Sequence, residues 1–268
     1  MNPSIYQGVI LKTIGIIFAM DEELCRLLEM IEPYKVVDGV LGRFYTRLVE
    51  YGGLEFQLVL TKSGMGKVRA AAHATEMLIR FSPAAVMSFG LSGAVSDLVG
   101  IGDLVVVSSV LQHDFELGSL ADLSHQHPKE SQLAQKMDDL LAGHSDELDK
   151  IWSSRVSDTF GRTPRIHIGT VITGDRLITS NAERAILKDR FPGALCVDME
   201  IYSVAQVAKL ANTPWAGVKI ISDEANDSFN PKEVLNFCAE HGSSVLAQIA
   251  MWSFGIFTSP NGELAGLL

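Results

Sequence analysis

Six runs of strand length recur along this chain, at residues 14–19, 56–61, 85–89, 104–111, 166–172 and 216–221, and several are apolar on consecutive positions. Alternation would mark strands with one wet face; unbroken apolar runs mark strands covered on both. Stripes of helical period lie between them. Val68, Ala71, Ala72, Thr75, Leu78 and Ile79 make one, and Ile201, Val204, Ala205 and Ala208 make another. Val234, Phe237, Cys238, Val245, Ile249 and Trp252 outline a long C-terminal helix with an interruption near Gly242. Strands alternating with helices predict an α/β layered fold around a mixed sheet. Residues 45–49, ahead of Gly52 and Gly53, read as the hairpin partner of 56–61.

A chain of 268 residues suits one large domain or two small ones, and no linker divides this one. We read 1–268 as a single domain carrying a long polar insertion at about 115–164. That insertion holds His125, His127, Pro128 and Gly143; a helix is expected over 131–141 with loops on either side, and long connections of this kind serve as lids or stay disordered. The net charge of −10 argues against nucleic acid as a partner, since phosphate binding is driven by Lys and Arg. Cys25, Cys196 and Cys238 are odd in number and scattered, with no CxxC, so neither a disulfide framework nor a zinc site is expected and a cytoplasmic setting fits. The apolar stretch 8–20 is interrupted by Lys12 and followed by acids rather than a small-residue cleavage site, and it is too short to span a bilayer. We read 14–19 within it as a buried first strand and expect no membrane association.

Three carboxylates stand at the ends of apolar runs: Glu23 in AMDEE, Glu200 in VDME and Asp223 in ISDEAND. Taken singly, each has a plain structural explanation. Asp21 or Glu22 would cap a helix, Glu200 would be an acid at another helix start, and Asp223 after Ser222 would be a turn residue. Their common placement points elsewhere, because open α/β sheets bind ligands beyond the carboxyl ends of their strands. Three acids delivered this way suit a neutral or weakly cationic small molecule, with one acid, one base and one hydroxyl-binding group.

Other motifs are weaker. GMGK at 64–67 lacks the spacing of a phosphate loop and has Val68 where a magnesium-binding hydroxyl should follow; a cap by Ser63 and a tight glycine turn explain it better. FGLSGAV at 89–95 reads either as a backbone cradle for an oxygen or anion or as a tight turn after a strand. His113-Asp114 follows a strand and is placed to orient a loop, Cys196 reads as core, and the histidines show no metal-ligand spacing.

Taken in order, GIIFAMDEE, SGMGKVRAA, FGLSGAV, VGIGDLVVVSSVLQHD, TGDRLI, VDMEIYSVAQVA and VKIISDEAND resemble the nucleoside phosphorylase/nucleosidase superfamily, most closely the branch that hydrolyses 5′-methylthioadenosine and S-adenosylhomocysteine. The resemblance covers about 14–115 and 166–252. It implies one three-layer α/β domain with a twisted mixed sheet flanked by helices. It also implies a homodimer whose neighbouring subunit helps close each pocket, and no cofactor or metal. By the same resemblance Glu23 activates the attacking water, Asp223 protonates adenine N7 with Ser222 orienting it, and Glu200 clamps the ribose hydroxyls. Met199 packs on the sugar, Ile178 offers backbone to the adenine edge with Leu177 along the base, and Gly93 lies near water and ribose beside Ser92. Phe229 walls the apolar 5′-thio group. The chain departs from the family pattern at Leu177 (an aromatic in many relatives), Lys219 (often Arg), Leu91 (often a small hydroxyl residue) and Phe18 (usually Gly), and in the length of 115–164. These departures bear on substrate preference and efficiency; at Lys219 a single charge near the water or a carboxylate still serves.

The implied chemistry is release of adenine from a thioadenosine by water, which serves methionine salvage, nucleoside catabolism and the autoinducer pathway. Two alternatives share the fold, a phosphorolytic purine or uridine phosphorylase and a futalosine-type hydrolase. A third is a non-catalytic nucleoside-binding protein, against which the three intact acids argue.

Overall fold

The computed structural model describes residues 5–6, 9–10, 12–115, 129–153 and 163–258. Ten strands form one mixed sheet: β1 (Lys12–Phe18), β2 (Lys35–Asp38), β3 (Arg43–Tyr51), β4 (Leu54–Lys62), β5 (Ala85–Ala94), β6 (Leu104–Gln112), β7 (Lys129–Glu130), β8 (Ile166–Thr173), β9 (Ala194–Asp198) and β10 (Trp215–Asp223). Their order is β9-β8-β6-β10-β5-β1-β4-β3-β2, with β7 on β6. The expected hairpin is present: β3 and β4 pair antiparallel through Gly52 and Gly53, both at positive φ (58° and 75°), the backbone that a two-residue turn between twisted strands demands.

The helices are α1 (Asp21–Met30), α2 (Lys67–Phe81), α3 (Ala134–Gly143), α4 (Ser145–Ser153), α5 (Asn181–Arg190), α6 (Ile201–Leu210), α7 (Pro231–Phe237) and α8 (Ser243–Trp252). Alternate residues of β1 serve two layers. Ile14, Ile16 and Phe18 join the core beneath α1 and α8, whereas Ile17 joins the one beneath α2 and α6. Gly15 lets α2 lie close, since a Cβ there would fall 2.3 Å from Met77 Sδ. The C-terminal helix is not broken at Gly242. It widens there into a π turn, Cys238–Gly242, between α7 and α8.

Three strands escaped the sequence pattern, the two-residue β7 among them. β2 is a largely exposed edge with no apolar run, and β9 spans only five residues. FGLSGAV is not a turn beyond its strand: β5 runs on to Ala94 because its far end has neighbours on both sides, β10 in parallel and β9 antiparallel. That last pairing, Cys196↔Ala94 and Val197↔Gly93, closes β5, β10, β6, β8 and β9 into a ring. Within 129–153 the polar segment is not a lid. It forms α3 and α4 and sends Leu133, Met137, Leu141, Leu148 and Trp152 into the main core. His125 and His127 lie outside the described residues.

Candidate active site

β1, β5 and β10 run parallel, so the residues after β1 and at the ends of β5 and β10 share one rim of the sheet. β9 runs the other way, but ring closure lays Val197 beside Gly93, and Ser92 Oγ donates to Val197 O (2.9 Å). The chain that leaves β9 therefore enters the same space. A cavity of roughly 310 Å³ lies there. Glu23, Ser92, Gly93, Leu177, Ile178, Met199, Glu200, Ser222, Asp223 and Phe229 all line it.

Each acid is held by backbone. Glu23 is buried in the first turn of α1; its Oε2 accepts the N–H groups of Ala19 (2.8 Å) and Met20 (3.0 Å), and its Oε1 accepts that of Leu91 (2.8 Å). Burial pushes the Glu23 carboxyl above its ordinary range, against the pull of the Lys219 ammonium and those three donors. Asp223 Oδ2 accepts the hydroxyl of Ser222 (2.8 Å), and Oδ1 accepts Ala225 N–H (2.9 Å). Burial also raises the Asp223 carboxyl, with Ser222 and the Ala225 N–H opposing. Glu200 sits at the start of α6, and its Oε1 accepts Gly66 N–H (2.8 Å) at the start of α2. Its carboxyl is pushed up to about 7, by burial first and the neighbouring Asp198 second.

Lys219 is the predicted site residue that does not line the cavity. It is 2% exposed, and its Nζ lies 2.7 Å from Asp198 Oδ2. Burial opposes its charge, but Asp198, Glu200 and Glu23 together outweigh that and raise its pKa. Lys219 thus sits behind the acids as their counter-ion. Asp198 was missed in the sequence although it adjoins Met199 and Glu200. It also accepts Thr173 Oγ1–H (2.6 Å) and Ile201 N–H (3.0 Å), so it anchors the α6 start. Ser63 caps nothing: its hydroxyl turns to the carbonyls of Phe18 and Gly64, and the α2 N-terminus is satisfied instead by Glu200 and Asp175.

The rest of the wall is largely apolar. Met20, Met65, Leu91, Pro231, Val234 and Leu235 join Phe229 in it, residues whose hydrophobicity reads simply as core or surface in the sequence. Arg176 is the only cationic lining residue among those described, and it is ion-paired with Glu183. Two glycines permit the close approach of the acids. A Cβ at Gly90 would fall 2.7 Å from Glu23 Oε1, and one at Gly93 would fall 2.9 Å from Asp223 Oδ1.

The sequence profile of the Phosphorylase superfamily matches residues 13–250. The chain belongs to that superfamily. A 5′-methylthioadenosine/S-adenosylhomocysteine nucleosidase of Oceanobacillus iheyensis is 32% identical over 213 residues, covering 80% of this chain and 86% of that protein. The structure of an S-adenosylhomocysteine nucleosidase from Streptococcus pyogenes in complex with 5-methylthiotubericidin superposes with a TM-score of 0.72 at 25% identity, over 92% of this chain and 97% of that one. A futalosine hydrolase mutant of Helicobacter pylori shares the fold, with a TM-score of 0.72 at 20% identity over 91% of this chain and 99% of that one. The expected three-layer architecture with a mixed sheet between helices is therefore the superfamily's own, and periodicity did not suggest the ring closure.

Proposed function

We propose that this member of the superfamily is a purine nucleosidase that hydrolyses the N-glycosidic bond of 5′-methylthioadenosine and S-adenosylhomocysteine, releasing adenine and a 5-thioribose product. The observation that carries this reading is the meeting of Glu23, Glu200 and Asp223 around one cavity with an apolar wall.

Anionic adenine is a poor leaving group, so the base must be protonated as it departs. Asp223, with its carboxyl raised by burial and oriented by Ser222, is suited to give a proton to N7. Oxocarbenium character then builds on the ribose, where fixed carboxylates stabilise it. Glu23 takes a proton from the attacking water, and the buried Lys219 favours its ionised state. Glu200 accepts hydrogen bonds from the two ribose hydroxyls, Met199 packs on the sugar, and Leu177 and Ile178 flank the base. Phe229, Pro231 and Val234 offer the 5′-thio substituent an apolar seat.

Water rather than phosphate is the acceptor. Glu23 would repel a phosphate dianion, and Arg176 is already engaged by Glu183. The half-open rim at Met65 and Leu177, 60% and 52% exposed, suits closure by a second subunit of a homodimer. Three free cysteines fit a reducing cytoplasm, where the reaction would clear by-products of S-adenosylmethionine use and feed methionine and autoinducer metabolism. Among the described residues no helix is long and apolar enough to cross a membrane.

The test is adenine release from methylthioadenosine, S-adenosylhomocysteine, 5′-deoxyadenosine and aminodeoxyfutalosine, with and without inorganic phosphate. Phosphate-independent release from the first two supports the reading. Release that requires phosphate, or confined to aminodeoxyfutalosine, replaces it with one of the two alternatives on this fold.

A further inference from the structure

GMGK and His113-Asp114 stand out in the sequence, yet the proposed chemistry uses neither. The fold brings them together behind the cavity. Lys67 Nζ lies 2.5 Å from Asp114 Oδ1 and 3.7 Å from Asp175 Oδ2. Lys67 N–H donates to Asp175 Oδ1 (2.7 Å), and Asp175 N–H donates to Asp114 Oδ2 (2.8 Å). The three residues thus close a ring in which each is held by both of the others. The Lys67 and Asp114 side chains are only 17% and 28% exposed, so solvent screens their pair far less than it screens an open surface bridge.

The ring joins the start of α2, the segment after β6 and the turn after β8. Each of its first and third segments carries a piece of the pocket. Gly66, just before Lys67, gives its N–H to Glu200 Oε1, and Arg176, Leu177 and Ile178, just after Asp175, line the cavity. The turn into α2 is built for this contact: Gly66 has φ +98°, and a Cβ there would fall 3.2 Å from Asp175 Oδ1. Lys67, Asp114 and Asp175 are absent from the lining themselves.

We propose that Lys67, Asp114 and Asp175 form an ionic strut that positions Glu200 and the 176–178 wall for the nucleoside, as positioning residues that do not touch it. This rests on the nucleosidase reading of the cavity. Without the ammonium, two neighbouring carboxylates repel, the β8–α5 turn moves away from α2, and both the sugar contact and the base contact loosen. Glu23 and Asp223 are held by other segments and keep their places, so binding suffers before chemistry does.

Steady-state kinetics on methylthioadenosine test this with Lys67→Met, Lys67→Arg and Asp114→Asn. The strut predicts that Lys67→Met raises KM about tenfold or more while kcat stays within about threefold. Lys67→Arg should recover part of the loss, and Lys67→Met combined with Asp114→Asn should be less than additive. Wild-type KM in both Lys67→Met and Asp114→Asn overturns the proposal. So does a fall in kcat at unchanged KM with a lowered Tm, which marks a purely structural role. Should Lys67→Met not fold, Asp114→Asn decides alone by the same KM criterion. Should the wild type release no adenine, the functional reading fails, and the strut is judged by calorimetric Kd for methylthioadenosine against the same tenfold threshold. Absence of any such binding by the wild type overturns both.

Discussion

The backbone N–H of Leu91 donates to Glu23 Oε1 across 2.8 Å, joining residues 68 positions apart in the chain. That bond fixes the carboxylate against the middle of β5, and it exists because Gly90 has no side chain. The two remaining donors, Ala19 and Met20, come from the turn that opens α1. In the proposed role of base, a carboxylate held by three backbone groups costs no reorganisation when water arrives.

Gly90→Ala should therefore act as a catalytic lesion. Its Cβ would lie 2.7 Å from Glu23 Oε1, so the carboxylate must shift and give up Leu91. Gly90 does not have a positive φ, so alanine brings no backbone strain of its own. We expect kcat to fall about 10²-fold, the cost of a displacement near 1 Å, with the far-UV circular dichroism unchanged. Wild-type kcat in this variant would show that the position of Glu23 is not critical.

Glu23→Gln and Asp223→Asn remove the proposed base and the proposed acid while keeping shape. Each should lower kcat by about 10²–10⁴, the usual worth of general acid–base help. Single-turnover adenine release checks this, with Tm measured alongside. A variant that keeps wild-type turnover strips that residue of its role.

Why these acids were legible while others were not follows from chain geometry. Glu23, Glu200 and Asp223 each end an apolar run, and strand tips are where open α/β sheets do chemistry. The strands of the sheet centre announced themselves because burial on both faces demands unbroken apolar residues. Asp198 sits in the same VDME motif, but its importance comes from Lys219 and Thr173, which only the ring closure and the β8–β9 pairing bring near. Lys219 itself reads in the sequence only as a single charge near the water or a carboxylate, because sequence shows charge and not depth. The Ser63 cap failed for a related reason: a local serine is the obvious partner for a helix start, but the acids that took its place come from 108 and 134 positions away.

Glu200 gives a pH signature. Its folded carboxyl is pushed up to about 7 by burial and then by Asp198, while in the unfolded chain it titrates at the ordinary glutamate value. The folded state then holds the proton more tightly, so the stabilising contribution is full below about pH 4.5 and is lost as pH rises towards 7. The loss is on the order of 3 kcal/mol. Glu200→Gln cannot titrate, so the stability of the wild type relative to this variant should decline from pH 5 to 7 and level off above. Urea denaturation at a series of pH values measures it, and a constant difference across that window would contradict the assignment. Substrate binding should run the other way, with KM falling as pH rises through 7, because only the ionised carboxylate accepts from both ribose hydroxyls.

Lys219 and Asp198 form the buried pair on which this charge balance rests, 2.7 Å apart. Replacing Lys219 with Met leaves Asp198 buried with only the Thr173 hydroxyl and the Ile201 N–H as partners, and leaves Glu23 and Glu200 without their nearby cation. Breaking one side of such a pair costs about 3–5 kcal/mol, whereas removing both charges costs far less because no uncompensated ion remains. Lys219→Met should therefore lose about that much in urea denaturation, and Lys219→Met with Asp198→Asn should recover a good part of it. Activity should not recover with stability: in the double variant Glu23 has still lost the positive charge that favours its ionised form, so burial pushes the carboxyl of the proposed base further above its ordinary range. Equal stability of the single and double variants would mean that loss of the Lys219–Asp198 contact is not what destabilises Lys219→Met. Full activity in the double variant would mean that Glu23 does not depend on Lys219 for its charge.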